Sequence, residues 1–403
     1  MFWLRGNSRL TIAQTACVQD ICMSSSFSEA LTKYLLNAQM IPDVAFVKCN
    51  DSEHGINLYE PFSDIPDIEN QLYTPFHGGR VNIVNRRIAS LWLSSKEAMT
   101  YTERCVSFDT QTVSYLHRYY QGKSNSIPST IDSVIQVMRI GNVGVDNIPY
   151  VTENLLFSLD KRDIVADNLF SFEKLFYIGG KNDRFCKRQV RNQLRLYDKR
   201  NRHKGTEIKN LWRKVYVVLL EIARVQLSHH SDSTEKKMKQ LCAFMDESLG
   251  LVMYPELILA KRYFDRGQNY SFFGRIQKGR KDIIESIQNM AWDLFHLRML
   301  ELGCAFPTAP HADFFIPYMF TYDKRLLEVK ECYELEALAV NTKGYERFPF
   351  YAHMNEIAQF VKEISTLQKY EQRRERNLYM NFPQFVVNCE DALCKVACTY
   401  QPS

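Results

Sequence analysis

Four acids in this 403-residue chain stand where carboxylates commonly do chemistry. Asp109 ends the short apolar run Cys105-Val106-Ser107-Phe108. Asp323 follows a longer run, Phe314-Phe315-Ile316-Pro317-Tyr318-Met319-Phe320, which closes with Thr321-Tyr322. Glu153 sits one turn into a helix opened by Pro149. Asp293 reads as an early residue of an amphipathic helix carrying Met290, Leu294 and Leu297. In open α/β sheets the carboxyl ends of strands are where ligands bind. Four carboxylates brought together repel and raise one another's pKa. A hard divalent cation, Mg²⁺ or Mn²⁺, takes oxygen ligands and relieves that repulsion, and it supports displacement at phosphorus. Each acid taken alone has a plainer explanation, because aspartates at strand ends and helix starts cap backbone N–H groups. Asp313, just before the last apolar run, is a fifth acid that could join the four or replace one of them.

The surrounding elements must bring these acids together. Strand, aspartate, helix around residues 105–120 is the first half of a βαβ unit. Residues 131–140 are a helix or a strand, and Gly141 to Asp146 reads as a turn. The stretch from 160 to 282 is mostly helical, with segments at 164–177, 185–197, 208–227, 234–248 and 254–264 and loops at 201–205 and 228–233. After Asp323 come a helix (324–332), a strand (335–340) and a long helix (354–377). The first hundred residues offer a helix at 27–38, an irregular loop at 51–79 rich in Pro, Asp and Gly, and a strand with a short helix at 80–95. His54, His77 and Gly78-Gly79 read as turn residues. The expected fold class is α/β: a parallel sheet flanked by helices (101–160 and 283–345), a basic helical insertion (161–282), an N-terminal segment of open role (1–100) and a C-terminal helical segment (346–403).

The pieces Val106-Ser107-Phe108-Asp109-Thr110, Tyr150-Val151-Thr152-Glu153-Asn154, Trp292-Asp293-Leu294 and Phe320-Thr321-Tyr322-Asp323-Lys324 resemble the four acidic motifs of the PIN-domain nucleases, in that family's order. The likeness covers about a quarter of the chain and departs from the family in the long insertion between Glu153 and Asp293. It implies a PIN-like fold in which Asp109, Glu153, Asp293 and Asp323 hold Mg²⁺ or Mn²⁺ for phosphodiester hydrolysis. Thr110 and Thr321 would support the acids, with Asp313 as a further metal ligand. The resemblance also implies an endoribonuclease of toxin or defence type, with an inhibitor or activating protein as partner. The alternatives are a binding scaffold without cleavage and a structure-selective DNase.

Charge distribution supports a polyanionic partner, RNA ahead of DNA. The chain carries +5 overall, yet residues 181–214 hold 13 Lys and Arg against three acids, a local net of +10. Arg184, Lys187, Arg188, Arg191 and Arg195 recur at helical spacing, and Lys199, Arg200, Arg202 and Lys204 follow in the expected loop. Neutralising phosphates with such a set gives salt-sensitive, sequence-blind affinity; the alternative is a solvated helix face. Tyr270, Phe272 and Phe273, with Arg275 and Lys278, could stack bases or belong to the core. His296 and His311 flank the acids and read as hydrogen-bonding residues, and His229-His230 as incidental. The 11 cysteines are scattered, which suits reduced thiols in the cytoplasm rather than a disulfide framework. Cys389, Cys394 and Cys398 match no zinc spacing. No apolar run approaches the ~20 residues of a membrane span, and the first residues do not read as a secretory signal.

Overall fold

The computed structural model describes residues 10–49, 55–65, 67–95, 100–123, 127–140, 143–176, 182–306, 312–343, 346–362, 364 and 367–397. His54, His311 and Cys398 lie outside them. The strands are β1 (Val44–Cys49), β2 (Ile56–Asn57), β3 (Leu72–Tyr73), β4 (Arg80–Val84), β5 (Thr102–Phe108), β6 (Gly144–Asp146), β7 (Phe314–Phe320), β8 (Leu335–Asn341) and β9 (Arg347–Tyr351). The helices are α1 (Ile12–Cys22), α2 (Phe27–Asn37), α3 (Arg86–Ser95), α4 (Thr110–Tyr120), α5 (Ile131–Ile140), α6 (Ile148–Leu155), α7 (Arg162–Phe176), α8 (Asp183–Ser228), α9 (Thr234–Ala243), α10 (Tyr254–Arg266), α11 (Ile283–Gly303), α12 (Lys324–Val329), α13 (Ala358–Val361), α14 (Leu367–Leu378) and α15 (Phe382–Ala397).

The strands form two sheets. In the mixed sheet, β5 lies between β6 and β7 and runs parallel to both, with Val106 opposite Val145 and Tyr318. β3 adds to the far side of β7 in the antiparallel sense. Pro317 is tolerated inside β7 because β3 covers only Met319 and Phe320; among the described residues, that side of the strand has no partner needing the N–H at Pro317. Side chains alternate across β5. Val106 and Phe108 are fully buried, and Phe108 packs its ring on Phe172 and Phe176 of α7. Cys105 and Ser107 turn to the opposite face, towards α11 and α8.

The second sheet is antiparallel, in the order β2-β4-β1-β8-β9. Both its faces are covered. Ala45 and Val47 of β1 face the main core, while Val44 and Phe46 meet Val18, Ile21 and Tyr34 of α1 and α2. Three sequence expectations are corrected here. Leu335–Asn341, assigned to the parallel core, is instead the partner of β1. The N-terminal hundred residues supply β1 and β4 of the same sheet, and the C-terminal segment opens with strand β9. Residues 354–377, expected as one helix, are divided between a 3₁₀ turn, α13 and α14.

The long helix α8 runs for 46 residues, roughly 69 Å at 1.5 Å per residue. The loop expected at 201–205 is helical. Its residues are mostly exposed, so that turn has no need of apolar side chains; Gly205 is buried, and Leu194 and Leu211 anchor the helix on either side. The carboxyl half is fully core-like: Val215, Val217, Val218, Leu219 and Ile222 are each 0% exposed. Burying such a side chain contributes about 1.5–3 kcal/mol. α15, α11 and α7 pack against α8. Among the described residues, no helix is long and apolar enough to cross a membrane.

His203 is exposed and mid-helix. His203→Pro is therefore expected to destabilise the protein by about 3 kcal/mol or more in chemical denaturation; a loop at 201–205 would tolerate it with little change.

Candidate acidic site

Asp109 follows the last residue of β5 and caps α4. Its Oδ1 accepts from the Thr112 N–H at 2.7 Å and its Oδ2 from the Thr321 hydroxyl at 2.5 Å. Thr321, the residue after β7, also accepts the Asp323 N–H at 3.0 Å. One fully buried hydroxyl thus ties together the acids at the tips of two adjacent parallel strands. Asp323 caps α12, and its carboxylate accepts from the Arg325 backbone N–H at 2.8 Å and from the Arg325 guanidinium at 3.0 Å. Glu153, on α6, accepts from the Thr110 hydroxyl at 2.5 Å and lies 3.5 Å from His296 Nε2.

Asp293 approaches from α11. The sequence places it near a helix start, but α11 begins at Ile283, so Asp293 is mid-helix. A side chain there has no cap to satisfy, which removes the plainest structural explanation for an aspartate. Asp293 retains some accessible surface yet is closely surrounded by protein. That burial, with the negative charges of Asp323, Glu153 and Asp109, holds its carboxyl well above the usual carboxylate range, and Arg325 offsets only part of this. The four acids singled out in the sequence therefore lie within electrostatic reach of one another around Asp293.

The other three differ in their balance. Burial pushes the Asp109 carboxyl up, opposed by its hydrogen bonds to Thr112 and Thr321. Burial also acts on Glu153, but His296, the Thr110 hydroxyl and Lys161 together outweigh it and hold its carboxyl below the ordinary value. For Asp323, Arg325 outweighs burial and lowers the carboxyl. Carboxylates in one cluster whose environments push them in opposite directions are a recurrent property of functional sites.

Would these residues suit a divalent ion? Among the described residues the one trio of His, Cys, Asp or Glu ligand atoms within 4.8 Å of one another lies elsewhere, at His77, Glu334 and His353. The four acids are spread more widely than a dehydrated ion requires. That spacing fits Mg²⁺ or Mn²⁺, which keeps several waters and touches one or two carboxylates directly. An all-oxygen donor set with excess negative charge at Asp293 matches a hard cation.

Asp313 does not belong to the site. It precedes β7, whereas Asp109 and Asp323 follow the far ends of the parallel strands β5 and β7. Arg87 binds it through a bidentate contact at 2.5 Å, and it accepts the Tyr101 N–H at 3.0 Å. It is a structural ion pair joining α3 to the mixed sheet.

Two residues near the acids, Asp146 and Arg325, escape a sequence reading, and His296, read as a hydrogen-bonding residue, lies beside Glu153. Asp146, expected in a turn, is the tip of β6; it accepts the Ile148 N–H at 2.9 Å, and burial raises its carboxyl, with Arg200 opposing. The signal was a third strand-tip aspartate, hidden because β6 is only three residues long. His296 is 4% exposed, stacks on Trp292 and has Glu153 as its ionic neighbour. Arg325 is the exposed cation beside Asp323 and Asp293.

A cavity of about 330 Å³ opens between the mixed sheet, α11 and α8. Cys105, Ser107, Asp146 and Pro317 line it on the sheet side, His296 on α11, and Arg200 and Lys204 on α8. The volume is at the lower end of the range for small-ligand pockets. The basic segment of α8 thereby divides in two. Arg184, Lys187, Arg188, Arg191, Arg195, Lys199 and Arg202 are exposed, and at 3.6 residues per turn they recur along one stripe. Arg200 and Lys204 fall on the other side of the helix, at the cavity. Arg275 and Lys278 are also exposed, but Tyr270, Phe272 and Phe273 are buried, with Phe273 stacked on Tyr263 at 4.0 Å. Base stacking on these three rings is thus ruled out. Cys389 is a free thiol.

No protein-family model, curated protein or solved structure matches the chain.

The Asp293 environment has a consequence for stability. Its folded carboxyl titrates above its unfolded value, so the folded state binds more protons between the two values, and stability falls as pH rises through that window. Asp293→Asn mimics the protonated form. It is expected to raise the melting temperature at neutral pH, with the gain disappearing as pH falls below the ordinary carboxylate range near ~4. A variant equally or less stable than wild type at pH 7 would show that Asp293 is not held among like charges.

Proposed function

We propose that the chain is a metal-dependent nuclease with a PIN-like arrangement of four acids, acting on RNA in preference to DNA. The observation that carries this reading is the placement of Asp293 among Asp109, Glu153 and Asp323, contributed by β5, α6, α11 and the turn after β7. These are the motif acids, and they meet at the carboxyl end of parallel strands, where α/β sheets bind ligands.

Asp109 and Asp293 are the acids best suited to hold the ion: Asp109 is buried with its orientation fixed by Thr321, and Asp293 is closely surrounded by protein while keeping some accessible surface. The ion, Mg²⁺ or Mn²⁺, would supply Lewis acidity and charge neutralisation at the phosphodiester. Glu153, with His296 behind it and Thr110 beside it, is the acid best placed to hold or pass a proton. Asp323 shares its charge with Arg325, whose guanidinium can turn to a phosphate oxygen as the acids take up a cation. Arg200 and Lys204 would bind the neighbouring phosphate or nucleotide at the cavity, and the stripe from Arg184 to Arg202 the more distant backbone.

The competing reading is a nucleic-acid or protein scaffold without cleavage. It draws on Arg325, because a built-in guanidinium already neutralises part of the acidic charge.

Cleavage of labelled single-stranded RNA and matched DNA, with Mg²⁺, Mn²⁺ or EDTA, separates the two. Wild type is expected to cut RNA only with the ion, and Asp109→Asn and Asp293→Asn to fall to the EDTA background while still binding RNA. Arg188→Ala with Arg191→Ala should weaken binding and reduce the slope of log affinity against log salt by roughly 0.7 per lost phosphate contact. Metal-independent binding with no cutting by wild type would favour the scaffold.

A further inference from the structure

His77 comes from a distant part of the chain to meet Glu334 and His353, and the three bring one ligand atom each to within 4.8 Å of the others. None of the four acids takes part. The backbone ties the three segments together: the Leu335 N–H donates to the Pro75 carbonyl at 2.7 Å, the His77 N–H to the Leu335 carbonyl at 2.9 Å, and the Ala352 N–H to the Glu334 carbonyl at 2.9 Å. Glu334 immediately precedes β8 and His353 follows β9, two strands in antiparallel register. The side chains therefore stand on the ends of a sheet, not on free loops, and such support gives a binding constellation its precision.

We infer that His77, Glu334 and His353 form a second metal site, selective for a borderline transition-metal ion of the Zn²⁺ class. Two imidazoles and one carboxylate suit Zn²⁺ and its neighbours and do not suit Mg²⁺. At metal–ligand distances of about 2.0–2.1 Å, tetrahedral ligand atoms sit roughly 3.4 Å apart. Side-chain rotation closes the longer separations. It also opens the 2.7 Å contact between His77 Nδ1 and Glu334 Oε2, displacing the proton that contact shares.

The surroundings are those of a ligand set held in place. His353 Nδ1 lies 3.4 Å from Glu356 Oε1. Glu356 is itself fixed by Arg262 through two contacts, of 2.8 and 3.2 Å. A carboxylate behind a ligating imidazole orients the ring and raises its basicity. The His77 and His353 rings stand edge to face at 6.0 Å. The side chains remain 45% (His77), 14% (Glu334) and 28% (His353) exposed. Three protein ligands at an open surface leave at least one coordination position for solvent or an exchangeable ligand.

The full-length protein, freed of metal, is titrated with Zn²⁺ by calorimetry and with Co²⁺ by visible absorption. The inference predicts one Zn²⁺ site and Co²⁺ bands of nitrogen–oxygen character. His77→Ala and His353→Ala each abolish the site, and Glu356→Gln weakens it by about 10- to 100-fold. Asp109→Asn leaves it unchanged. Circular dichroism confirms that each variant is folded, as partly exposed side chains allow. Cobalt charge-transfer bands of thiolate character, or Zn²⁺ affinity unchanged in the double histidine variant, would overturn it.

Discussion

Electrostatic repulsion among four carboxylates is the constraint on which the site depends. Asp109, Glu153, Asp293 and Asp323 come from β5, α6, α11 and the turn after β7, and each brings negative charge towards Asp293. Folding would avoid such a cluster if stability alone mattered. The chain offsets it locally with Arg325 at Asp323, His296 at Glu153 and hydroxyls at Asp109 and Glu153. What remains falls on Asp293, whose carboxyl has no hydrogen-bond donor among the described residues and is held towards its protonated form. A cation is the natural complement of that residue of uncompensated charge.

The framework follows from this requirement. Parallel pairing of β5 with β7 brings Phe108 opposite Phe320, so Asp109 and Thr321 emerge side by side and the threonine hydroxyl can bridge the two acids. The apolar run of β7 is buried on both faces, with Pro317 against α11 and with Phe314 and Tyr318 against Phe76 and Phe62, which fixes its register. α11 is clamped between the sheet and α8, and this clamp sets the height at which Asp293 meets the strand tips. The same contact forms the cavity and brings Arg200 and Lys204 of α8 to its edge. The insertion is thus continuous with the site and is not a separate appendage.

Much of the local structure was legible in the sequence. The strand–aspartate–helix signal at Asp109, the Pro149 helix start and the β7 run with Thr321 and Asp323 depend on neighbours in the chain, and the structure places all three as expected. Long-range relations were less legible. β1 pairs with β8 across most of the chain, and Val44–Cys49 is buried at every position, so it lacks the alternation that marks a half-exposed strand. Residues 201–205 are polar and contain a glycine, a loop signal; a long helix whose ends are anchored overrides it. Asp293 was placed too near a helix start because the helix extends back to Ile283, with Ile283, Ile284 and Ile287 at helical spacing. His77 read as a turn residue, since its partner Glu334 is 257 positions away.

The claim that Asp293 is the centre of a cation site is tested most directly by calorimetric titration with Mn²⁺. The titration is run in buffers of differing ionisation enthalpy, in a His77→Ala, His353→Ala background that silences the second site. The account predicts that Mn²⁺ binding releases a proton, that the release grows as pH falls, and that Asp293→Asn abolishes the release while weakening binding. Mn²⁺ binding without proton release, or binding indifferent to Asp109→Asn and Asp293→Asn, would contradict it.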